Sequence, residues 1–238
     1  QNYCRMNCLR LRHQVMNSEG KSDPEMVFKD RAEAGRLLAD RLREYQDRNA
    51  LILALPRGGV PVAAEVAAAL NGELDIVIAR KIGAPGNPEL AIGAVTSDGT
   101  VLLNDSLIAG LRVGKDYIDR AVNQVQSDIR DYIRRYRGDR PAPEVSGRIV
   151  LIVDDGIATG YTVMSAAQAI LGKDPEELII AVPVAPRESV SELQQSTGSK
   201  VVAVSTPSFF VAVGQFYKDF KQVSDEEVIE ALEGHRKS

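Results

Sequence analysis

Asp154 and Asp155 stand side by side at the end of the apolar run Val150-Leu-Ile-Val153, and a turn of small residues and hydroxyls follows, Gly156-Ile-Ala-Thr-Gly-Tyr-Thr162. An unbroken aliphatic run reads as a strand buried on both faces. Val163 to Leu171 reads as a helix, so the turn joins a strand to a helix N-terminus. Amides of such a turn, together with the positive end of the helix dipole, attract a phosphate. Two adjacent carboxylates accept hydrogen bonds from the hydroxyls of a sugar ring. Strand, acids, turn and helix in that order form a layout for holding a phosphorylated sugar. Gly156, Ile157, Ala158, Thr159, Gly160, Tyr161 and Thr162 are the candidate phosphate residues, with Asp154 and Asp155 facing the sugar. The plainer alternative is a simple turn in which Thr159 or Thr162 caps the helix.

A second cluster, Pro56-Arg57-Gly58-Gly59-Val60, follows the apolar run Ala50 to Leu55. Gly58 and Gly59 let backbone amides come close to a ligand, and the planar fork of Arg57 suits phosphate oxygens. A Gly-Gly turn beside a solvated arginine is the alternative. Arg80 and Lys81 follow the run Leu74 to Ala79, either as site cations or as ordinary surface charge. The series Arg130, Arg134, Arg135, Arg137 and Arg140 reads mainly as a solvated helix face. Phe209-Phe-Val-Ala-Val-Gly-Gln-Phe-Tyr217 reads from its residues as core packing in a small hood. Cys4 and Cys8 have helical spacing, but with only His13 and His235 elsewhere a metal-ligand set is hard to assemble, and the count excludes a disulfide framework.

The elements that must position these residues alternate. Asp30 caps an expected helix over Arg31 to Tyr45, and Ala50 to Leu55 is a strand. Val60 to Leu70 is a packed helix and Leu74 to Ala79 a strand. Ala91 to Val95 and Val101 to Leu103 pair through a turn. Ile118, Val122, Val125, Ile129, Ile133 and Tyr136 line one face of a long helix from Lys115. Strands over Leu178 to Val184 and Val201 to Ser205 enclose a helix over Glu188 to Gln195, and Ser224 with Glu227 forms a capping box for the last helix. Such alternation implies an α/β fold, a mostly parallel central sheet flanked by helices. Ligands bind such sheets outside the C-terminal strand ends, the edge that both the Arg57 and Asp154 loops occupy. Residues 1–25 fall outside the pattern and read as an extension or mobile tail, and 26–238 as one domain with a small C-terminal hood.

The composition, with 44% hydrophobic and 26% charged residues among 238, is that of a globular chain. A formal net charge of −4 does not favour nucleic acid. Apolar runs are too short for a membrane span, and the N-terminal residues lack an apolar signal region. A cytoplasmic protein without nucleic-acid or membrane partners is expected.

The Val150–Thr162 segment resembles the phosphoribosyl diphosphate (PRPP) signature of the type I phosphoribosyltransferases, and Pro56–Val60 resembles their pyrophosphate loop, which often holds a cis non-proline peptide. Phe28-Lys-Asp-Arg31, Leu55-Pro-Arg-Gly-Gly59, Arg80-Lys-Ile-Gly-Ala-Pro-Gly-Asn-Pro-Glu89 and Val213-Gly-Gln-Phe-Tyr217 are similar to a bacterial and archaeal group provisionally named phosphoribosyltransferases, whose acceptor is generally unassigned. The resemblance implies a Rossmann-like fold and transfer of the 5-phosphoribosyl group from PRPP to a small-molecule acceptor, with a nucleobase one candidate. It implies Mg²⁺, held mainly by pyrophosphate and ribose oxygens and met by Asp154 and Asp155 indirectly. It further implies catalytic roles for Arg57, Lys81, Asp154 and Asp155, and pyrophosphate contact for Arg80. A mobile catalytic loop is implied over Gly83 to Glu89, and base stacking by Phe210. A homodimer is left open. So are two other readings: a non-catalytic PRPP or nucleotide sensor, and a hydrolase of a phosphoribosyl compound.

Overall fold

The aliphatic runs pair side by side in the computed structural model, which describes residues 27–97 and 99–235. The strands are β1 (Leu51–Ala54), β2 (Glu73–Ile76), β3 (Ala79–Ala84), β4 (Asn87–Thr96), β5 (Val101–Leu103), β6 (Ile149–Val153), β7 (Glu177–Val184) and β8 (Lys200–Ser205). The helices are α1 (Arg31–Arg41), α2 (Gly59–Leu70), α3 (Asp105–Leu111), α4 (Lys115–Arg137), α5 (Tyr161–Leu171), α6 (Arg187–Thr197) and α7 (Asp225–Gly234). The tail expected over residues 1–25, with both cysteines, lies outside the described residues. Among the described residues no helix is long and apolar enough to cross a membrane.

A five-stranded sheet runs β2-β1-β6-β7-β8, and every neighbouring pair is parallel. Alternate side chains feed two cores, because successive Cβ atoms leave opposite faces. Ile52, Ala54, Leu151, Val153, Ile179 and Ala181 join residues of α1, α2, α4 and α7 on one face. Leu51, Leu53, Val150, Ile152, Ile180 and Val182 join residues of α5 and α6 on the other. All five residues of β6 are buried, so its polar continuation, Asp154 and Asp155, starts where the hydrophobic layers end.

Capping follows the sequence reading. The Asp30 carboxylate accepts the Glu33 N–H at 2.8 Å, and Ser224 with Glu227 closes a capping box on α7. The first helix stops at Arg41 and continues as a short 3₁₀ turn, Arg43–Tyr45. Helix α3, capped by Asn104, was not anticipated, and it buries no residue that would print an apolar stripe on the sequence. The expected loop over Gly83 to Glu89 is instead the tip of an antiparallel hairpin, β3 with β4. Pro85 and Gly86 make its turn, with Gly86 at φ +75°. Proline followed by a positive-φ glycine suits the two central positions of a type II turn. A Gly/Pro-rich string therefore hid a hairpin.

The basic series on α4 is not one solvated face. Arg137 donates through Nε to both Asp75 oxygens, at 3.2 and 3.1 Å, and through Nη2 to the Ile76 carbonyl at 3.0 Å. Both side chains of this pair are buried, 7% and 8% exposed. The Arg140 Nε donates to the Arg137 carbonyl at 2.6 Å, closing the helix end. Removing one member of a buried pair strands the other charge and costs about 3–5 kcal/mol. Arg137→Ala should therefore lower the unfolding free energy by about that much in urea titration. A loss below about 1 kcal/mol would mean that water replaces the guanidinium.

Candidate functional site

Three backbone segments converge at the C-terminal end of β6. The first is Asp154-Asp155 itself. The Asp155 N–H donates to the Asp154 Oδ1 at 2.8 Å, folding the first carboxylate back over the turn. The second is the β1–α2 loop, where the Pro56–Arg57 peptide bond is cis. A Cβ on Gly58 would lie 2.1 Å from the Asp155 Oδ2, so only glycine lets this loop pass beside the acid. The third is a pairing of distant chain segments. The Phe28 N–H donates to the Phe216 carbonyl and the Lys218 N–H to the Phe28 carbonyl, both at 2.8 Å. This stitching brings α1 and the aromatic C-terminal segment over the acid pair.

Arg31, at the start of α1, donates through Nε to the Asp155 Oδ2 at 2.9 Å. Its Nη1 donates to the Lys221 carbonyl at 2.8 Å, and its Cζ lies 4.0 Å from the centre of the Phe220 ring. The Tyr217 hydroxyl donates to the Asp155 carbonyl at 2.6 Å. Burial and the nearby Asp155 charge push the Tyr217 phenol up, which keeps it a proton donor. Arg31, Arg57, Gly58, Asp155, Phe220 and Gln222 line one cleft of about 360 Å³, within the size range of small-molecule sites, about 300–1,000 Å³.

Burial raises both carboxyls of the pair. For Asp154 burial acts first and the Asp155 charge adds to it, so its carboxyl sits well above the usual carboxylate range. For Asp155 burial is opposed by Arg31, through charge and hydrogen bond, and the rise is smaller. The Arg57 guanidinium rests 3.6 Å from Asp225, the first residue of α7. Asp225 also receives Arg135 and the Tyr136 hydroxyl, and these contacts, Tyr136 first, hold its carboxyl below the usual range. Arg80 turns its guanidinium over Tyr132, 4.5 Å from the ring centre, and Tyr132 lies against Tyr136. Lys81 is exposed on β3.

The turn after the acids divides its residues. Gly156 and Ile157 are buried, and the Ile157 N–H is used internally, donating to the Val184 carbonyl at 2.9 Å. The Ser189 hydroxyl fixes the Ala158 carbonyl at 2.7 Å. Gly160, at φ +75°, is the N-cap of α5, and no side chain caps that helix. Thr159 and Thr162 are exposed, and neither caps the helix. The first-turn amides of a helix have no intrahelical partner, which holds for Tyr161, Thr162 and Val163 at the start of α5.

The structure thus gathers Arg57, Gly58 and Asp155 around the cleft, with the turn from Gly156 to Thr162 on the same strand end. Phe210 packs on Phe216, 5.2 Å between ring centres, and Phe220 is the aromatic residue of the cleft. Arg31, Tyr217, Phe220 and Asp225 were not foreseen as site residues. The Arg31–Asp155 bond spans 124 positions, beyond any local pattern. Among the described residues no group of three or more His, Cys, Asp or Glu could hold a metal. The paired carboxylates fit a Mg²⁺ ion that keeps most of its ligands as water and phosphate oxygens.

Known proteins share this fold. The phosphoribosyl transferase domain family model matches residues 27–221. Two Mycobacterium tuberculosis proteins, from strains CDC 1551 and H37Rv and provisionally named phosphoribosyl transferases, are each 40% identical over 211 residues. That match covers 88% of this chain and 47% of theirs, so the chain spans about half their length. The crystal structure of TT1426 from Thermus thermophilus is similar at 43% identity with a TM-score of 0.77, covering 87% of this chain and 98% of that one.

A carboxyl whose folded pKa lies above its unfolded value binds its proton more tightly when folded. Its contribution to stability is greatest below the unfolded range and falls as pH rises through the folded pKa. The raised Asp154 carboxyl therefore costs stability at neutral pH. Asp154→Asn should raise the melting temperature at pH 8 by about 2–4 °C, the shift that 1 kcal/mol produces in a domain of this size. The gain should vanish at pH 4. A gain that is the same at both pH values would refute the charge argument.

Proposed function

The chain belongs to the phosphoribosyl transferase domain family, and on that premise we propose that it transfers the 5-phosphoribosyl group of PRPP to an acceptor nucleophile, with release of pyrophosphate. The observation that carries this reading is the acid pair at the end of β6, followed directly by the uncapped first turn of α5. A ribose 5-phosphate spans these two features, hydroxyls on the carboxylates and phosphate on the amides. Arg57, on the neighbouring loop, meets the pyrophosphate, where its guanidinium stabilises the charge that grows as the C1–oxygen bond breaks. Asp154 and Asp155 accept from the ribose hydroxyls and fix the ring. The hairpin β3–β4, bearing Lys81, is the element suited to cover the reacting centre and exclude water. Asp154 and Asp155 are the residues that would hold a Mg²⁺ ion, which would supply further neutralisation of the pyrophosphate. The acceptor attacks C1 as pyrophosphate departs, and a nucleobase is the first candidate class.

Incubation with PRPP, Mg²⁺ and a panel of bases, read by pyrophosphate release and by the ribosylated product, tests the reading directly. Release that needs an added base supports transfer. Release without one indicates hydrolysis, and tight PRPP binding without release indicates a sensor. Asp154→Asn with Asp155→Asn should keep the fold and sharply weaken PRPP binding. Unchanged affinity in calorimetry on the folded double variant would remove the sugar assignment. Arg57→Ala should weaken pyrophosphate and PRPP by about ten- to a hundredfold while sparing ribose 5-phosphate. Equal losses for all three ligands would mean that Arg57 shapes the site generally.

A further inference from the structure

We propose that Arg31 is a second guanidinium for the pyrophosphate, and that it changes partner from Asp155 to the diphosphate when PRPP binds. The inference rests on the PRPP reading above and adds to it a residue and a coupling. Two guanidinium groups line the same cleft, and each rests on a carboxylate, Arg31 on Asp155 and Arg57 on Asp225. Arg31, at the start of α1, and Arg57, on the β1–α2 loop, thus face one space of about 360 Å³.

Arg31 has more to give than it uses. A guanidinium carries five N–H donors. Nε meets Asp155 and Nη1 meets the Lys221 carbonyl, while Nη2 has no hydrogen-bond partner among the described residues. The side chain is only 11% exposed, and its plane is held over the Phe220 ring. A cation that lines the cleft with a donor to spare is placed to receive an anion there. A diphosphate, which offers several oxygens to a planar fork, competes well for it against one carboxylate oxygen.

The exchange has a consequence for the sugar. In the free protein one of the two Asp155 oxygens is taken by Arg31. When the guanidinium turns to the diphosphate, that oxygen becomes an acceptor for a ribose hydroxyl. The diphosphate and the sugar then favour each other's binding, and the coupling is reciprocal. A molecule carrying both groups gains from it, whereas either fragment alone does not.

Calorimetry of the full chain in Mg²⁺ buffer tests this with three probes: pyrophosphate, ribose 5-phosphate and PRPP. In the wild type, saturating pyrophosphate should tighten ribose 5-phosphate several-fold. Arg31→Gln should weaken pyrophosphate by about ten- to a hundredfold. It should leave ribose 5-phosphate alone unchanged or tighter, and it should abolish the coupling. Arg31→Lys, which keeps the charge without the fork, should bind pyrophosphate with intermediate affinity and serves where Arg31→Gln does not fold. Unchanged pyrophosphate affinity in either folded variant overturns the proposal, as do equal losses for all three probes or a wild type without coupling. Failure of the wild type to bind PRPP at all overturns the functional reading itself, which separates the two failures.

Discussion

Two carboxylates at the end of a strand buried on both faces impose a charge problem, and the elements around them are arranged to meet it. β6 supplies aliphatic side chains to both cores, so the residues that follow it emerge from low dielectric rather than from water. Ionising both acids there is unfavourable. One answer is the raised Asp154 carboxyl; the other is Arg31, which lies against Asp155. Glycine at position 58 and the aromatic segment around Phe220 are needed for that arrangement to close.

Arg31 can reach Asp155 only because the chain pairs its residues 28–29 with 216–219. Phe28 stacks on Tyr217 and Tyr217 on Phe220, so the pairing is packed as well as hydrogen-bonded. The same segment anchors the Asp155 carbonyl through Tyr217. Helix α7 follows immediately, and its first residue, Asp225, gathers Arg57, Arg135 and Tyr136. The C-terminal segment therefore sets the electrostatics of both signature loops, although neither loop lies near it in sequence.

The pairing of cations with acids gives the ligand-free site a balanced charge and leaves donors unused. A site of this kind is stable without its ligand and still attracts an anion, because a carboxylate offers fewer oxygens than a diphosphate. The first-turn amides of α5 add fixed positive charge at the same strand end, and they cost nothing to organise since the helix is already formed.

The parallel sheet, the acid pair and the two loops were legible because each depends on local pattern: aliphatic runs, glycines and a helix start within a few residues. So were the caps at Asp30 and Ser224, which are contacts between residues three apart. The β3–β4 hairpin was obscured by glycine and proline, which occur in loops and tight turns alike. Phe220 was not legible as a residue of the cleft, because an aromatic residue carries no local sign of which side faces the core. The Arg31–Asp155 and Arg57–Asp225 contacts belong wholly to tertiary structure. By itself the sequence determined which groups could bind a sugar phosphate and on which edge of the sheet they stand. Folding decided which cation each acid meets, because that depends on crossings between segments more than a hundred residues apart, which no periodicity records.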